Sequence, residues 1–175
     1  MREMILVPYD QNWVNLFDQM KKDITDAFYG LAIEVLHIGS TAIIGMPSKP
    51  IIDILVVLDS FEGFDQYSKL LVSKGYVFKG EHGIDGRQYF QKFHEDGIHH
   101  IAHVHCYQKN NSAVFDHILF RDYLNSNPEA FKKYLDVKLV ASKLYRLNPS
   151  LYTNHKSSCI QELISEAKKD YKKML

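Results

Sequence analysis

Ile33-Glu34-Val35-Leu36-His37-Ile38-Gly39-Ser40-Thr41, followed beyond Gly45, Pro47 and Pro50 by Ile51-Ile52-Asp53-Ile54-Leu55-Val56-Val57-Leu58, is the stretch from which the fold is read. Its first part is short, rich in apolar and β-branched residues and stopped by Gly39, which predicts a strand over 33–38. Its second part is an unbroken apolar run that suits a strand buried on both faces. One acid, Asp53, sits inside it.

Upstream, Trp13, Leu16, Phe17, Met20, Ile24 and Phe28 recur at helical spacing behind Asp10, a residue type that caps helices. Downstream, Phe64, Tyr67, Leu70 and Leu71 predict a second helix, stopped by Gly75. Segments 76–78, 87–93 and 99–107 read as three further strands, the first two separated by the turn-rich Gly80–Gly86 stretch. The rest is helical: one helix capped by Ser112 and running to about Leu124, a second opened by Asn127-Pro128 through Tyr145, and a third opened by Asn148-Pro149. The expectation is an α+β chain forming one domain over 1–175, with a mixed sheet and flanking helices over about 1–110 and a helical part over about 111–175, the seam lying at 108–112.

Composition narrows the class. Apolar residues make up 46% and charged residues 24%, which is ordinary globular usage. Lysine plus arginine and aspartate plus glutamate number 21 each, so no overall positive field draws the chain to nucleic acid or an anionic membrane. The two cysteines, Cys106 and Cys159, have no paired spacing and read as small buried apolar residues. The start, Met1 to Pro8, is interrupted too soon for a secretory segment, and no apolar run approaches the ~20 residues that span a bilayer. A cytoplasmic protein is expected.

The chemistry concentrates where the two quoted strands meet. Glycine lets a backbone approach a phosphate, and the Ser40 and Thr41 hydroxyls with the following amides can donate hydrogen bonds to its oxygens. A carboxylate in an apolar strand needs a partner, and Mg²⁺ would be one. The competing reading makes Gly39-Ser40 a plain turn and Asp53 an acid paired inside the fold.

His37-Ile38-Gly39-Ser40-Thr41-Ala42, Gly45-Met46-Pro47-Ser48-Lys49-Pro50-Ile51-Ile52-Asp53-Ile54, Arg87 to Lys92, His103-Val104-His105 and Phe120-Arg121-Asp122-Tyr123-Leu124, with Tyr152 and Lys156 later, resemble the GrpB-like proteins of the nucleotidyltransferase superfamily. The resemblance covers nearly the whole chain. It implies a nucleotidyltransferase-like sheet with a helical C-terminal part, found alone or joined to dephospho-CoA kinase. In typical nucleotidyltransferases the glycine-serine turn holds a triphosphate, and two acids separated by one residue bind Mg²⁺. Here the pair is broken, since Ile51 and Leu55 flank Asp53 at the two-residue spacing.

The histidines offer a replacement. Strand alternation puts His99, His103 and His105 on one face and His100 on the other, so Asp53, His103 and His105 form a candidate metal set for Mg²⁺, Mn²⁺ or a transition metal. The alternative is a strand whose histidines hydrogen-bond to neighbours or face solvent. Lys49, Arg87 and Lys92 are candidates for phosphate, against ordinary surface positions, and Arg121 either pairs with Asp122 or reaches the cleft. Tyr152 and Lys156, one helical turn apart, would close over a ligand. The resulting expectation is a nucleotide- or phosphate-ester-binding protein, Asp53 and His105 being its candidate catalytic pair and metal-dependent nucleotidyl transfer its candidate reaction. The competing expectation is a non-catalytic module for a nucleotide, a CoA-like ligand or a protein partner, or a His-metal protein.

Overall fold

The apolar run around Asp53 becomes β2 (Ile52–Leu58) in a computed structural model that describes residues 5–173, the side chain of Ile33 excepted. The Met1 to Met4 portion of the amino-terminal reading lies outside these residues. β2 pairs antiparallel with β1 (Ala32–Ile38) on one side and parallel with β5 (His100–Gln108) on the other. β4 (Gln88–Phe93) continues the sheet antiparallel to β5, and β3 (Tyr76–Phe78) closes it antiparallel to β4. The order β1-β2-β5-β4-β3 is a mixed sheet, and with its helices it makes the α+β class expected.

Side-chain alternation divides the sheet into two faces. Ile52, Ile54, Val56 and Leu58 point with Phe90, Ala102, Val104 and Cys106 into one core. That core is covered by Trp13, Phe17, Met20 and Ile24 of α1 (Asn12–Ala27) and by Phe64 and Leu71 of α2 (Phe64–Ser73). On the opposite face Ile38, Leu55, Val57 and Tyr107 pack on Ala113, Val114 and Ile118 of α3 (Ser112–Ser126). Asp53 belongs to this second face.

A separate core belongs to the helical part. Phe120 and Leu124 of α3, Ala130 and Tyr134 of α4 (Pro128–Leu144), and Cys159, Leu163 and Ile164 of α5 (Pro149–Lys173) enclose Ile43 and Met46 from the loop between β1 and β2. That loop is therefore fastened to the helices rather than left loose over the sheet. The two cysteines are buried and free, as read. No helix among the described residues is long and apolar enough to cross a membrane.

Local chemistry sets the helix starts. Asn127 accepts hydrogen bonds from the Glu129 and Ala130 amides at 3.1 and 3.0 Å, with Pro128 in the first turn. Asn148 accepts from Leu151 N at 3.0 Å. One start moves: Asn111, not Ser112, caps α3 by accepting from Ala113 N at 2.9 Å, because it alone holds the extended backbone a cap requires. α3 also runs past Leu124 to Ser126. Replacing Asn127 with Ala removes two amide partners, and we expect urea unfolding to show a loss of ~1 kcal/mol.

Candidate functional site

The turn after β1 and the acid of β2 are in direct contact. Gly39 has φ +69° and ψ −168°, a conformation that side chains rarely adopt. A Cβ at Gly39 would lie 2.4 Å from Asp53 Oδ2 and 2.9 Å from Asp53 Cβ. Only glycine lets the chain pass beside this carboxylate. Residues 40–42 then make one 3-10 turn, and Thr41 is fixed by His37 Nε2 at 2.9 Å and by donating to the Ile51 carbonyl at 3.4 Å. His37 stacks on Phe17 at 4.9 Å, and burial pulls its pKa down to about 4, so the ring is neutral.

Asp53 is 30% exposed and opens onto two adjoining hollows, of about 420 and 400 Å³, which share Ser40, Asp53 and Lys156. One hollow is polar and carries Lys49, Lys138 and Lys156 with Thr41, His103 and Tyr152. The other is more apolar and runs between Tyr107, Phe120, Tyr134, Ile160 and Ile164, with His117 at its side. The turn between β3 and β4 reaches over both, His82 meeting the polar hollow and Ile84 the apolar one.

Two histidines hold the carboxylate. His103 Nδ1 lies 3.1 Å from Asp53 Oδ1 and His105 Nε2 3.9 Å from the same atom. Burial works to raise the Asp53 pKa, but these two partners outweigh it and keep the carboxyl well below the usual range. Burial also keeps His105 neutral, lowering its pKa despite Asp53. Beyond them, His100 Nδ1 is 2.9 Å from His103 Nε2.

This corrects the alternation expected along β5. A register irregularity at Lys92/Phe93, where Phe93 opposes His100, brings His100 to His103, while His99 turns outward to pair with Asp96. The metal set is not assembled either. Among the described residues no group of three or more His, Cys, Asp or Glu side chains is placed to hold a metal ion. Each His103 nitrogen faces another side chain, and His105 Nδ1 faces the Arg87 guanidinium at 3.4 Å. Asp53 offers one carboxylate, so a divalent cation here would take most of its ligands from water and phosphate.

The other expected contacts separate by position. Gly39, Ser40, Thr41, Lys49, Tyr152 and Lys156 all line the cleft. Lys156 Nζ rests 4.1 Å and Lys49 Nζ 5.4 Å from the centre of the Tyr152 ring. Lys92 is on the other face of the sheet, bonded to Asp23 at 3.2 Å and set over Tyr76, because β4 alternation pairs it with Phe90 rather than Tyr89. Arg87 is buried and donates to the Glu81 and His82 carbonyls, so it braces the overhanging turn. Arg121 donates to the His37 carbonyl at 3.0 Å and to Asp122 at 2.7 Å, and it lines neither hollow.

Lys138 was not singled out by sequence. It is 1% exposed, and burial, aided by Lys156 and Lys49, pulls its pKa down to about 6. Its one visible signal is its place on the inward stripe of α4, with Ala130, Tyr134 and Ala141, where an apolar residue is the rule.

Comparison with known proteins fits this arrangement. The family model described as GrpB protein matches residues 3–166. The chain belongs to the GrpB family. The chain is 36% identical over 168 residues to the UPF0157 protein YqkA of Bacillus subtilis, covering 96% of this chain but only 48% of that relative. The crystal structure of conserved protein GrpB from Enterococcus faecalis superposes with a TM-score of 0.88 at 31% identity, covering 95% of this chain and 99% of that one. Terminal uridylyl transferase 4 from Trypanosoma brucei with bound CTP superposes with a TM-score of 0.51 at 17% identity, covering 93% of this chain and 52% of that one. At that identity the likeness shows the fold alone, which is nucleotidyltransferase-like.

Two outcomes follow for the folded protein. Gly39→Ala is expected to lose ~3 kcal/mol of stability in urea unfolding, from the left-handed backbone and the collision with Asp53. Lys138→Met is expected to be more stable than the natural protein at pH 7. The Lys138 pKa falls from 10.5 in the unfolded chain to about 6 on folding, so its cost is full below pH 6 and fades as pH rises to 10.5. The gap between the two proteins should therefore narrow by up to ~1.4 kcal/mol per pH unit across that window, measured by denaturation at pH 6 to 10.

Proposed function

We propose that this GrpB-family protein binds a nucleotide or another phosphate ester in the two-part cleft, with its phosphates in the polar hollow and its organic part in the apolar one. The observation that carries the reading is the junction. Ser40, Asp53 and Lys156 border both hollows, so a hydroxyl, a carboxylate and an ammonium surround the point where a phosphate chain would join the rest of its ligand. Ser40 supplies a hydroxyl on a backbone rigidified by Thr41, His37 and the helical core, and Lys49 and Lys156 supply positive charge.

The reaction we attach to this arrangement is nucleotidyl transfer. An acceptor hydroxyl would attack the α-phosphorus and release pyrophosphate, its proton passing toward Asp53 and the neutral His105 behind it. A second reading, a module that binds without catalysis, is favoured by one observation. The carboxylate that would meet a metal is already held by His103 at 3.1 Å.

Calorimetry with each nucleoside triphosphate, with and without Mg²⁺ or Mn²⁺, tests both. We expect binding that weakens tenfold or more in Ser40→Ala and Lys156→Ala. Loss of metal-dependent affinity in Asp53→Asn would support the enzyme, whereas affinity that survives that change and needs no metal would support the module. A folded protein that binds none of the nucleotides sinks the reading.

A further inference from the structure

Lys138 stands on the inward stripe of α4, 1% exposed, where an apolar side chain would be ordinary. Its Nζ donates to Ser48 Oγ at 3.1 Å and lies 5.4 Å from the centre of the Tyr134 ring. The Ser48 hydroxyl gives its own proton to the Met46 carbonyl at 3.1 Å, so toward Lys138 it acts as the acceptor. The backbone of Ser48 pairs with Val7, which holds that acceptor still. Among the described residues the Lys138 side chain makes no other hydrogen bond and no ion pair.

This geometry suits an amine better than an ammonium. An ammonium has three protons to donate and finds one acceptor here, whereas a neutral amine that donates once to Ser48 keeps its lone pair clear of any donor. The surroundings agree. Burial, then repulsion from Lys156, draws the Lys138 pKa down to about 6 against the pull of Asp53, so at pH 7 about nine in ten molecules carry the neutral form. Lys156, brought down to about 8, stays mostly protonated at that pH. Both side chains line the polar hollow of about 420 Å³. A desolvated lysine that opens on a cavity beside a second cationic group is the arrangement that makes an amine nucleophilic near neutral pH. A lysine that only tied Ser48 to α4 would need no such opening.

We propose that Lys138 is a nucleophilic amine that forms an imine with a small aldehyde or ketone bearing an anionic group, the carbonyl entering the polar hollow and the anionic group meeting Lys156. The assignment uses the same cleft as the nucleotide reading but does not require a nucleotide. The Lys138 lone pair adds to the carbonyl carbon while one amine proton moves to the carbonyl oxygen, giving a carbinolamine. Departure of the hydroxyl with the second amine proton then releases one water and leaves the carbon–nitrogen double bond. Nothing is oxidised or reduced, and addition of water reverses the step.

The pH dependence follows from the groups around the amine. Lys49 faces the hollow from the segment before β2, Asp53 from β2, His82 from the overhanging turn and Tyr89 from β4. His103 faces it from β5, Tyr152 and Lys156 from α5, and Tyr134 lies beside the amine on α4. Asp53 favours the charged form of Lys138, and Lys156 and Lys49 favour the neutral one. Since only the neutral amine reacts, the rate should climb toward pH 6 and be level between pH 7 and 8. An exposed lysine instead gains about tenfold per pH unit across that same range.

The test is reductive trapping. Glyceraldehyde 3-phosphate, with glyceraldehyde as its uncharged counterpart, is incubated with the full chain and sodium cyanoborohydride, which reduces an imine to a stable amine, and the labelled positions are read by peptide mass spectrometry. We expect Lys138 to be labelled first, at least tenfold faster than exposed lysines such as Lys22, at a rate level from pH 7 to 8. The phosphorylated aldehyde should label it at least tenfold faster than glyceraldehyde, and Lys156→Gln should remove that preference. Lys138→Met, folded by its unfolding transition, should lose the first adduct. Absence of an adduct at Lys138 in the folded natural protein, earlier labelling of another lysine, or a Lys138 rate that rises tenfold from pH 7 to 8 overturns the assignment. Equal labelling by the two aldehydes overturns the anionic requirement. Calorimetry with nucleoside triphosphates reads the nucleotide proposal separately, so either can fail without the other.

Discussion

The end of β1 leaves no room for a side chain beside the Asp53 carboxylate. At Gly39 the chain leaves β1 with positive φ and passes so near Asp53 that a single methyl group would collide with its oxygen. Everything functional is referred to that contact. It sets Ser40 beside the acid where the two hollows meet, and it fixes the direction in which residues 42 to 50 set out before the chain returns as β2. Because Ile43 and Met46 of that loop are buried among α3, α4 and α5, the same contact also fixes how the helical part sits on the sheet.

The electrostatics of the cleft are divided by the sheet and the helices. The sheet supplies the negative group and holds it at once, His103 hydrogen-bonding it and His105 lying close by on the adjacent parallel strand, whose register places Asp53 opposite His103. The helices bring Lys138 from α4 and Lys156 from α5 to the polar hollow, where burial disfavours the charge on both. Burying such groups is costly in a folded protein. On the reading proposed above, the polar hollow takes the charge of the ligand and the neighbouring apolar hollow its organic body.

Arg87 shows how a strongly polar residue can serve the site without touching a ligand. Its guanidinium is buried against the Tyr89 ring and spends its protons on the Glu81 and His82 carbonyls. The turn it holds includes His82, which has a positive φ, and reaches over both hollows. Arg121 does the equivalent work on the other side by holding the end of β1 through the His37 carbonyl.

Periodicity and turn chemistry, which act between residues near in sequence, were enough to read the strands around Asp53, the helix starts at Asn127 and Asn148, the mixed-sheet class and the meeting of Gly39-Ser40 with Asp53. Charge type alone was not enough to place Lys92 or Arg121, whose destinations depend on which face of β4 is covered by α1 and on where α3 crosses the end of β1. The bulge that brings His100 to His103 follows from how β4 and β5 pair, so alternation along β5 by itself pointed the wrong way. Lys138 was visible only as a polar residue on an apolar stripe. That it faces a hollow shared with Lys49 and Lys156 was decided by the packing of α4 and α5 over the sheet, because burial and electrostatic coupling are properties of the space between elements and not of any one segment.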